Sequence, residues 1–504
     1  MPASADSEHS EPANPEVGVS LHLGPRIFKN VVTLIGGQGL GLLLSGAATI
    51  LLARYLGTAQ LGEFGAIYAY MGLYGWLATF GLDTILARHA AQDRLNAGSI
   101  LLTGVCLSAG LSLAAMAVAL ILAPSFGYSR SLGALMILAG ADVLLLAPLR
   151  LPGIVFQVDL RQWYGVGISL ARQLIWLAVL AALVAARADL LWIILGRSFC
   201  ALLEVVLIFE AVRRKGFVAG PWRLLATEAR KFLSYGFPLA MSMLAVGIYQ
   251  RIDQVMLHKM VSDQVLGNYV ASVRLTELIS LFPVAVMAPL FPILSQTVTD
   301  EKRFLQYLRV SFRSLMGLVF GACLVVTLFS GVIVRAVYGT RFDAAALSLA
   351  VLIWSEVPVF FGVALNSGLV AKNLQAYLPF STGIGAVLNV VLNLYFIPRW
   401  GAVGSAWATN ISYTFAAMIF FLAFSATRSI TWFGLRQFVS PCLLSMVIIV
   451  VLKVVAPPGI LQFALAAGLY ALGAWMLGIV RSSDVSQVAR LMGMRRSEAK
   501  GHAS

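Results

Sequence analysis

Charge is what this sequence has least of. Only 12% of its 504 residues are Asp, Glu, Lys or Arg, against 60% hydrophobic, roughly half the charged share of a soluble globular protein. So apolar a chain cannot present a surface to water, which excludes a soluble enzyme or binding module of this length. Cysteine is also scarce. Cys106, Cys200, Cys323 and Cys442 all fall within apolar runs and read as small buried hydrophobes, not as a disulfide framework or a metal site. Period-two alternation is missing, which argues against a membrane β-barrel. Long outer loops are missing too, none exceeding roughly a dozen residues. A membrane polysaccharide polymerase or ligase, which needs catalytic groups in sizeable outer loops, is therefore the second and weaker alternative function. Residues 1–20 lack the basic start and short apolar core of a signal peptide, so the first apolar run is expected to be retained. Acidic, polar and proline-containing, this tail is expected to be disordered.

What is present is a succession of apolar windows, each long enough to cross ~30 Å of hydrocarbon as a helix. Fourteen are expected, near 30–52, 64–86, 98–122, 131–149, 164–186, 190–211, 233–257, 266–294, 311–334, 345–370, 378–397, 403–425, 437–455 and 460–480. The class is therefore an all-α polytopic membrane protein. The net charge of +14 sits mostly in short connections, where the positive-inside rule explains it better than nucleic acid does. Arg54, Arg130, Arg187, Lys259, Arg335, Arg341, Arg399 and Lys453 fall on one side. The more numerous bases on the other side place both termini in the cytoplasm.

The chain divides into a tail (1–24), a six-helix bundle (25–212), a basic linker (213–232), a second six-helix bundle (233–427), helices 13 and 14 (428–482) and a basic tail (483–504). The linker carries a Gly-Pro break and is a candidate for touching anionic headgroups. The segment VSQVARLMGMRRSEAK suits a short amphipathic helix on the inner surface. The two bundles echo each other. LLARYLGTAQLGEFGAIY (51–68) resembles MLHKMVSDQVLGNYVASV (256–273), with Leu61-Gly62 matching Leu266-Gly267. Further on, VDLRQWYGVGISL aligns with KNLQAYLPFSTGI, and the same offset sets Asp142 on Glu356. An even number of spans per unit gives a parallel repeat about an axis along the membrane normal.

Charges inside the apolar runs are costly in lipid and mark cavities or partners. Arg197 lies roughly midway along its span, too deep to snorkel to an interface, and Arg172, Asp142 and Glu356 are similarly deep. Arg251 and Arg274 flank the hairpin between the seventh and eighth spans. One reading pairs Arg251 with Glu277, Arg274 with Asp253 and Arg172 with Asp142. The other has Arg172, Arg197, Arg251 and Arg274 line a water-filled cavity, where guanidinium groups grip phosphate oxygens through paired hydrogen bonds. The two are compatible. Asp142, Glu356, Asp253 and Glu277 are the candidates for coupling to a proton or Na⁺. Asp83 and Glu204 are weaker candidates. Glu63 and Asn268 are expected to cap helix starts. Glycines in IGGQGLGLLLSG and prolines in FPVAVMAPLFP soften or bend two spans, and Pro358 interrupts the tenth near Glu356. No metal and no cofactor beyond a coupling ion are indicated.

Three stretches resemble one family. RIFKNVVTLIGGQGLGLLLSGAATILLARYLGTAQLGEFGAIYAY, IDQVMLHKMVSDQVLGNYVASVRL and LNLYFIPRWGAVGSAWATNISY look like Wzx-type polysaccharide flippases of the MOP superfamily. The resemblance covers roughly residues 25–480. It implies two pseudo-symmetric six-helix bundles, a bacterial inner-membrane location and a substrate of undecaprenyl-diphosphate-linked oligosaccharide. It also implies function beside membrane lipids and polysaccharide polymerase machinery. Arg274 matches the arginine of the family's Y-x-x-A-x-R-L pattern, and Asp253 a common aspartate of the seventh span. The sequence is similar to lipid II flippases in span number but lacks intramembrane arginines in the first two spans. The expected function is an alternating-access flippase for cell-surface polysaccharide. The first alternative, a multidrug exporter of the same superfamily, would need an acid-rich cavity for cations.

Overall fold

A computed structural model describes residues 23–215, 222–280, 282–455 and 459–479. It is 90% helical, and no strand occurs among the described residues. The acidic N-terminal tail, part of the basic linker and the expected C-terminal amphipathic helix lie outside them. The main helices are α1 (Leu23–Leu73), α2 (Leu82–Gln92), α3 (Ala97–Leu122), α4 (Gly133–Gly140), α5 (Trp163–Ala185), α6 (Leu190–Lys215), α7 (Ala226–Met260) and α8 (Asp263–Glu277). They continue with α9 (Phe282–Gln296), α10 (Glu301–Tyr338), α11 (Ala345–Leu352), α12 (Glu356–Ala371), α13 (Tyr377–Thr414), α14 (Ser425–Val455) and α15 (Ile460–Met476).

Among the described residues, eleven helical stretches are long and apolar enough to cross a membrane, and Leu461–Met476 is a shorter apolar helix. The stretch Gly36–Gln92 has 57 residues and would run to about 85 Å as one rod, far beyond ~30 Å of hydrocarbon. It doubles back at Gly57, whose φ of 70° is open to glycine at little cost. Leu44, Ser45 and Ala48 before the turn face the same small cavity as Leu61, Phe64 and Gly65 after it. The stretch Tyr377–Ala423 doubles back likewise at Gly401 (φ 53°). There Asn389 donates to Ser412, and Ser405 donates to Asn393 across the two arms. Both turns lie at one end of the molecule, called here the Gly57 end.

The echo in the sequence is also an echo in space. A Cβ on Gly62 would lie 2.1 Å from the Asp263 carbonyl oxygen, and one on Gly267 would lie 1.8 Å from that of Thr58. Matching glycines thus let α1 and α8 meet backbone against backbone, the close approach that small residues permit in lipid. Tyr128 donates to the Ala66 carbonyl (2.8 Å), and Tyr338 donates to the matching Ala271 carbonyl (3.2 Å). Arg54 donates to the carbonyls of Val337 (2.7 Å) and Ala336 at the end of α10. Its counterpart Lys259 donates to the Ser125 carbonyl (2.8 Å) just past the end of α3. Each half therefore fastens a cation on the last carbonyls of a helix of the other half, where orphan acceptors and the helix dipole favour it. One buried core, with Ile67, Tyr70, Leu266 and Tyr269, runs across the seam.

Some local expectations change. Asn268 does not cap a helix start. It lies inside α8 and donates to the Gln264 carbonyl, while Ser262 holds the N-cap position. Glu63 sits within α1 beyond the Gly57 turn. Cys200 and Cys323 are buried, but Cys442 is half-buried and Cys106 exposed, since an apolar run in a membrane protein has an outward face as well as a core face.

Candidate functional site

The helical ladder breaks beside both deep acids of the repeat. Residues Ala141–Leu145 form a π-helical turn that carries Asp142, and Ile353–Ser355 form a 3₁₀ turn just before Glu356. Such breaks change the rotation of the next helical turns and often mark functional positions. Here they turn each acid into the protein, where both are buried.

The surroundings of the two acids differ. Asp142 accepts from Arg197 Nε at 3.0 Å and from Arg150 at 3.4 Å. Arg150 Nε lies 3.1 Å from Glu204, and Arg172 Nε lies 3.3 Å from the same carboxylate. The result is a chain of three guanidinium groups and two carboxylates, with one positive charge in excess. Neither contact to Glu204 has hydrogen-bond geometry, so these pairs rest on charge and can exchange when another anion arrives. The Arg197 guanidinium also sits 4.4 Å from the Tyr68 ring centroid, a cation–π contact that fixes its plane. Glu356, by contrast, meets no cation within bonding distance among the described residues. Ser280 donates to it, its oxygen 2.8 Å from each carboxylate oxygen.

The expected pairings change accordingly. Arg172 pairs with Glu204 rather than Asp142, which is taken by Arg197 and Arg150. Arg274 pairs with Glu277 one turn along its own helix (2.7 Å), not with Asp253. Asp253 is buried and accepts from the Tyr269 hydroxyl (2.6 Å) and from the Gln254 backbone N–H (2.7 Å). Arg251 makes no hydrogen bond or ion pair with any described residue. Its side chain lies against Gly72, where a Cβ would approach its Cδ to 2.9 Å.

Three of the four candidate arginines share one space. Arg172 and Arg197 from the first half and Arg274 from the second line a cavity of about 130 Å³, together with Ser45, Thr49 and Trp176. The terminal nitrogens of Arg172 and Arg197 make no hydrogen bond with any described residue. The cavity therefore presents planar, always-charged guanidinium groups from both sides of the seam, those of Arg172 and Arg197 with uncommitted terminal nitrogens and that of Arg274 bonded to Glu277 through one nitrogen. A diphosphate, with several oxygens and fixed negative charge, satisfies such donors.

Sequence reasoning left out Arg150, which falls just past the fourth expected span, and gave Glu204 little weight. The available signal was the distance from Asp142 to Arg150, about two helical turns. It also left out a polar cluster between α7, α8 and α13. There Asn393 bonds Asn389 and Ser405, Asn389 bonds Ser412, and Thr409 Oγ1 is buried without a hydrogen-bond partner among the described residues. Asn389 and Asn393, four residues apart in an apolar run, were its visible trace.

Compared with known proteins, the chain matches the family described as "Polysaccharide biosynthesis protein" over residues 27–298. It matches the family described as "Lipid II flippase MurJ" over residues 173–478. A curated relative, a probable low-salt glycan biosynthesis flippase of Haloferax volcanii, is 25% identical over 368 residues, 72% of this chain and 75% of the relative. The probable flippase AglR of the same organism is 29% identical over 178 residues, 34% and 37% of the two chains. Among solved structures, lipid II flippase MurJ in an inward closed conformation is similar, with a TM-score of 0.69 and 14% identity, over 89% of this chain and 98% of that one. The MATE transporter VcmN of Vibrio cholerae gives a TM-score of 0.57 and 12% identity over 82% and 98%. At these identities the solved structures speak to the fold alone.

Proposed function

Because the chain belongs to the flippases of the MOP superfamily, matching both the polysaccharide biosynthesis and the lipid II flippase families, we propose that it carries undecaprenyl-diphosphate-linked oligosaccharide from the cytoplasmic to the outer leaflet of a bacterial inner membrane. The product feeds a surface polysaccharide such as O-antigen, capsule or exopolysaccharide, beside the polymerase machinery that consumes it. The observation that carries this reading is the cavity on which Arg172, Arg197 and Arg274 converge from both halves. Moving ionised phosphate through hydrocarbon unaided would cost on the order of tens of kcal/mol. A cationic cavity replaces the headgroup's water while the polyprenyl tail stays in lipid. The bias of basic residues supports cytoplasmic termini, which makes the Gly57 end the outer one.

The carrier then works by rocking its halves about the seam. With the Gly57 end fastened by Arg54 and Lys259, the headgroup enters from the opposite end. Reopening at the outer face requires those contacts to part. An inside-negative potential favours outward movement of an anion by roughly 2.3 kcal/mol per charge per 100 mV. Of the acids considered for proton or Na⁺ coupling, Asp142 and Glu277 are matched by arginines. Asp253 and Glu356 are buried and form an ion pair with no arginine among the described residues, which makes them the better candidates, Asp253 standing beside the asparagine cluster. A multidrug exporter would also fit the fold, but a cavity of guanidinium groups repels organic cations.

The test is transport of a fluorescent lipid-diphosphate sugar in proteoliposomes, with and without potential, Na⁺ and pH gradients. Arg197→Ala and Arg274→Ala are each expected to slow transport at least about tenfold, since a charge-assisted hydrogen bond contributes roughly 1.5–3 kcal/mol. Normal rates in both variants would remove the arginines from the site. Export of cationic dyes instead of the lipid would replace the reading.

A further inference from the structure

Next to the arginine cavity lies a larger chamber of about 740 Å³, within the volume range of small-molecule sites. Ser45, Arg172 and Gln173 line both spaces, so the two are contiguous. From Arg172 the chamber follows α5 back toward Gln162, about 15 Å of helix, away from the Gly57 end. Its polar wall is made of neutral amides and hydroxyls: Gln38 from α1, Gln157 and Gln162 from the connection before α5, and Gln173 and Ser169 from α5. Arg172, at the junction, is the one charged residue lining it among the described residues.

These amides have little else to do. Gln38, Gln157 and Gln162 make no side-chain hydrogen bond with any described residue, and Gln173 makes only a long one, 3.4 Å, to Ser169. Gly41 faces the Gln173 amide, where a Cβ would come within 2.8 Å of Nε2, so the glycine leaves that side chain its space. Phe156 adds an apolar wall. Polar side chains in a membrane bundle usually find partners within it. A group left unpaired here is open to a ligand.

The lining selects the ligand's chemistry. An amide both donates and accepts, as each sugar hydroxyl and acetamido group does, whereas a guanidinium only donates and a carboxylate only accepts. A lipid tail would gain nothing from four amides. A cationic amino sugar would find no acid on the wall. We propose that the glutamine chamber binds the uncharged sugars next to the diphosphate while the arginines hold the phosphates. This rests on the flippase reading and adds to it a sugar subsite and its residues.

The experiment uses the full-length protein in nanodiscs. It measures binding of two probes, undecaprenyl diphosphate and the same lipid bearing one N-acetylhexosamine. In the parent, the sugar is expected to raise affinity about tenfold, the effect of one or two added hydrogen bonds. In the triple variant Gln38→Leu, Gln157→Leu, Gln162→Leu, three residues that line the chamber and not the arginine cavity, that gain disappears, while binding of the sugar-free lipid stays unchanged and thereby reports an intact fold. Should the triple variant lose the sugar-free lipid as well, the single variants decide by the same ratio. A sugar gain that survives in the variants, or that the parent never shows while binding the sugar-free lipid, overturns the subsite alone. Failure of the parent to bind either lipid overturns the flippase reading beneath it.

Discussion

Glu204 touches two guanidinium groups at once with its own side chain only 13% exposed, whereas Glu277 touches one and is itself 48% exposed. That difference sets their energetic weight. Removing one partner of a buried charge network leaves the others uncompensated, at roughly 3–5 kcal/mol. An ion pair open to water contributes under ~1 kcal/mol. Glu204→Gln is therefore expected to lower the thermal midpoint of the detergent-purified protein markedly, and Glu277→Gln to leave it nearly unchanged. Equal shifts would mean that the Arg150–Glu204–Arg172 chain is not structural. The arginines themselves were legible in the sequence, because a charge deep in an apolar run needs a reason. Their partners were not. Sequence spacing fixes depth in a helix but not its rotation against a neighbour, and the π turn at Ala141–Leu145 alters that rotation. Arg150 was hidden by standing at the edge of a span, where the positive-inside rule already explains it. The glutamines were hidden because a neutral amide, unlike a buried charge, does not demand a counter-charge, so nothing in the sequence singled them out.

Elements here are set by glycine more than by propensity. The turns at Gly57 and Gly401 were expected from the gaps between apolar windows, and the two helices that double back there carry positive φ at those residues. The match of Leu61-Gly62 with Leu266-Gly267 foretold an echo but not its use, since only the packed structure shows each glycine facing the other half's backbone. Any side chain at Gly267 would collide with the Thr58 carbonyl, and backbone cannot step aside as a flexible side chain can. Gly267→Val is expected to abolish recovery of monodisperse protein. Gly110→Ala is the control: nothing lies within 4 Å of its added Cβ, and alanine favours a helix by about 1 kcal/mol over glycine. Size-exclusion profiles of the two variants check this, and a well-behaved Gly267→Val protein would mean that the seam is not as close as described.

At the scale of the whole molecule, the two halves are joined at the Gly57 end by contacts that come in matching pairs. The helical class and the repeat were readable from the chain because apolar windows and short identities survive in sequence. The fastening was not, since Arg54 and Lys259 looked like ordinary loop charges. In the structure each donates to backbone carbonyls of the opposite half. Both are exposed, so each contact is worth about 1 kcal/mol, and losing both should shift a two-state equilibrium more than tenfold. With the four native cysteines replaced by alanine and Thr49→Cys as a reporter in the cavity wall, Arg54→Gln with Lys259→Gln should raise labelling by an impermeant maleimide from the Gly57 side. Unchanged labelling would show that the pair does not hold that end closed.

A closure secured twice has a genetic corollary. Either half of the fastening covers for loss of the other, so scans that alter one position at a time would score both residues as dispensable. Only crossing the two lesions would expose the lock, and the duplication that built it is what keeps it out of sight.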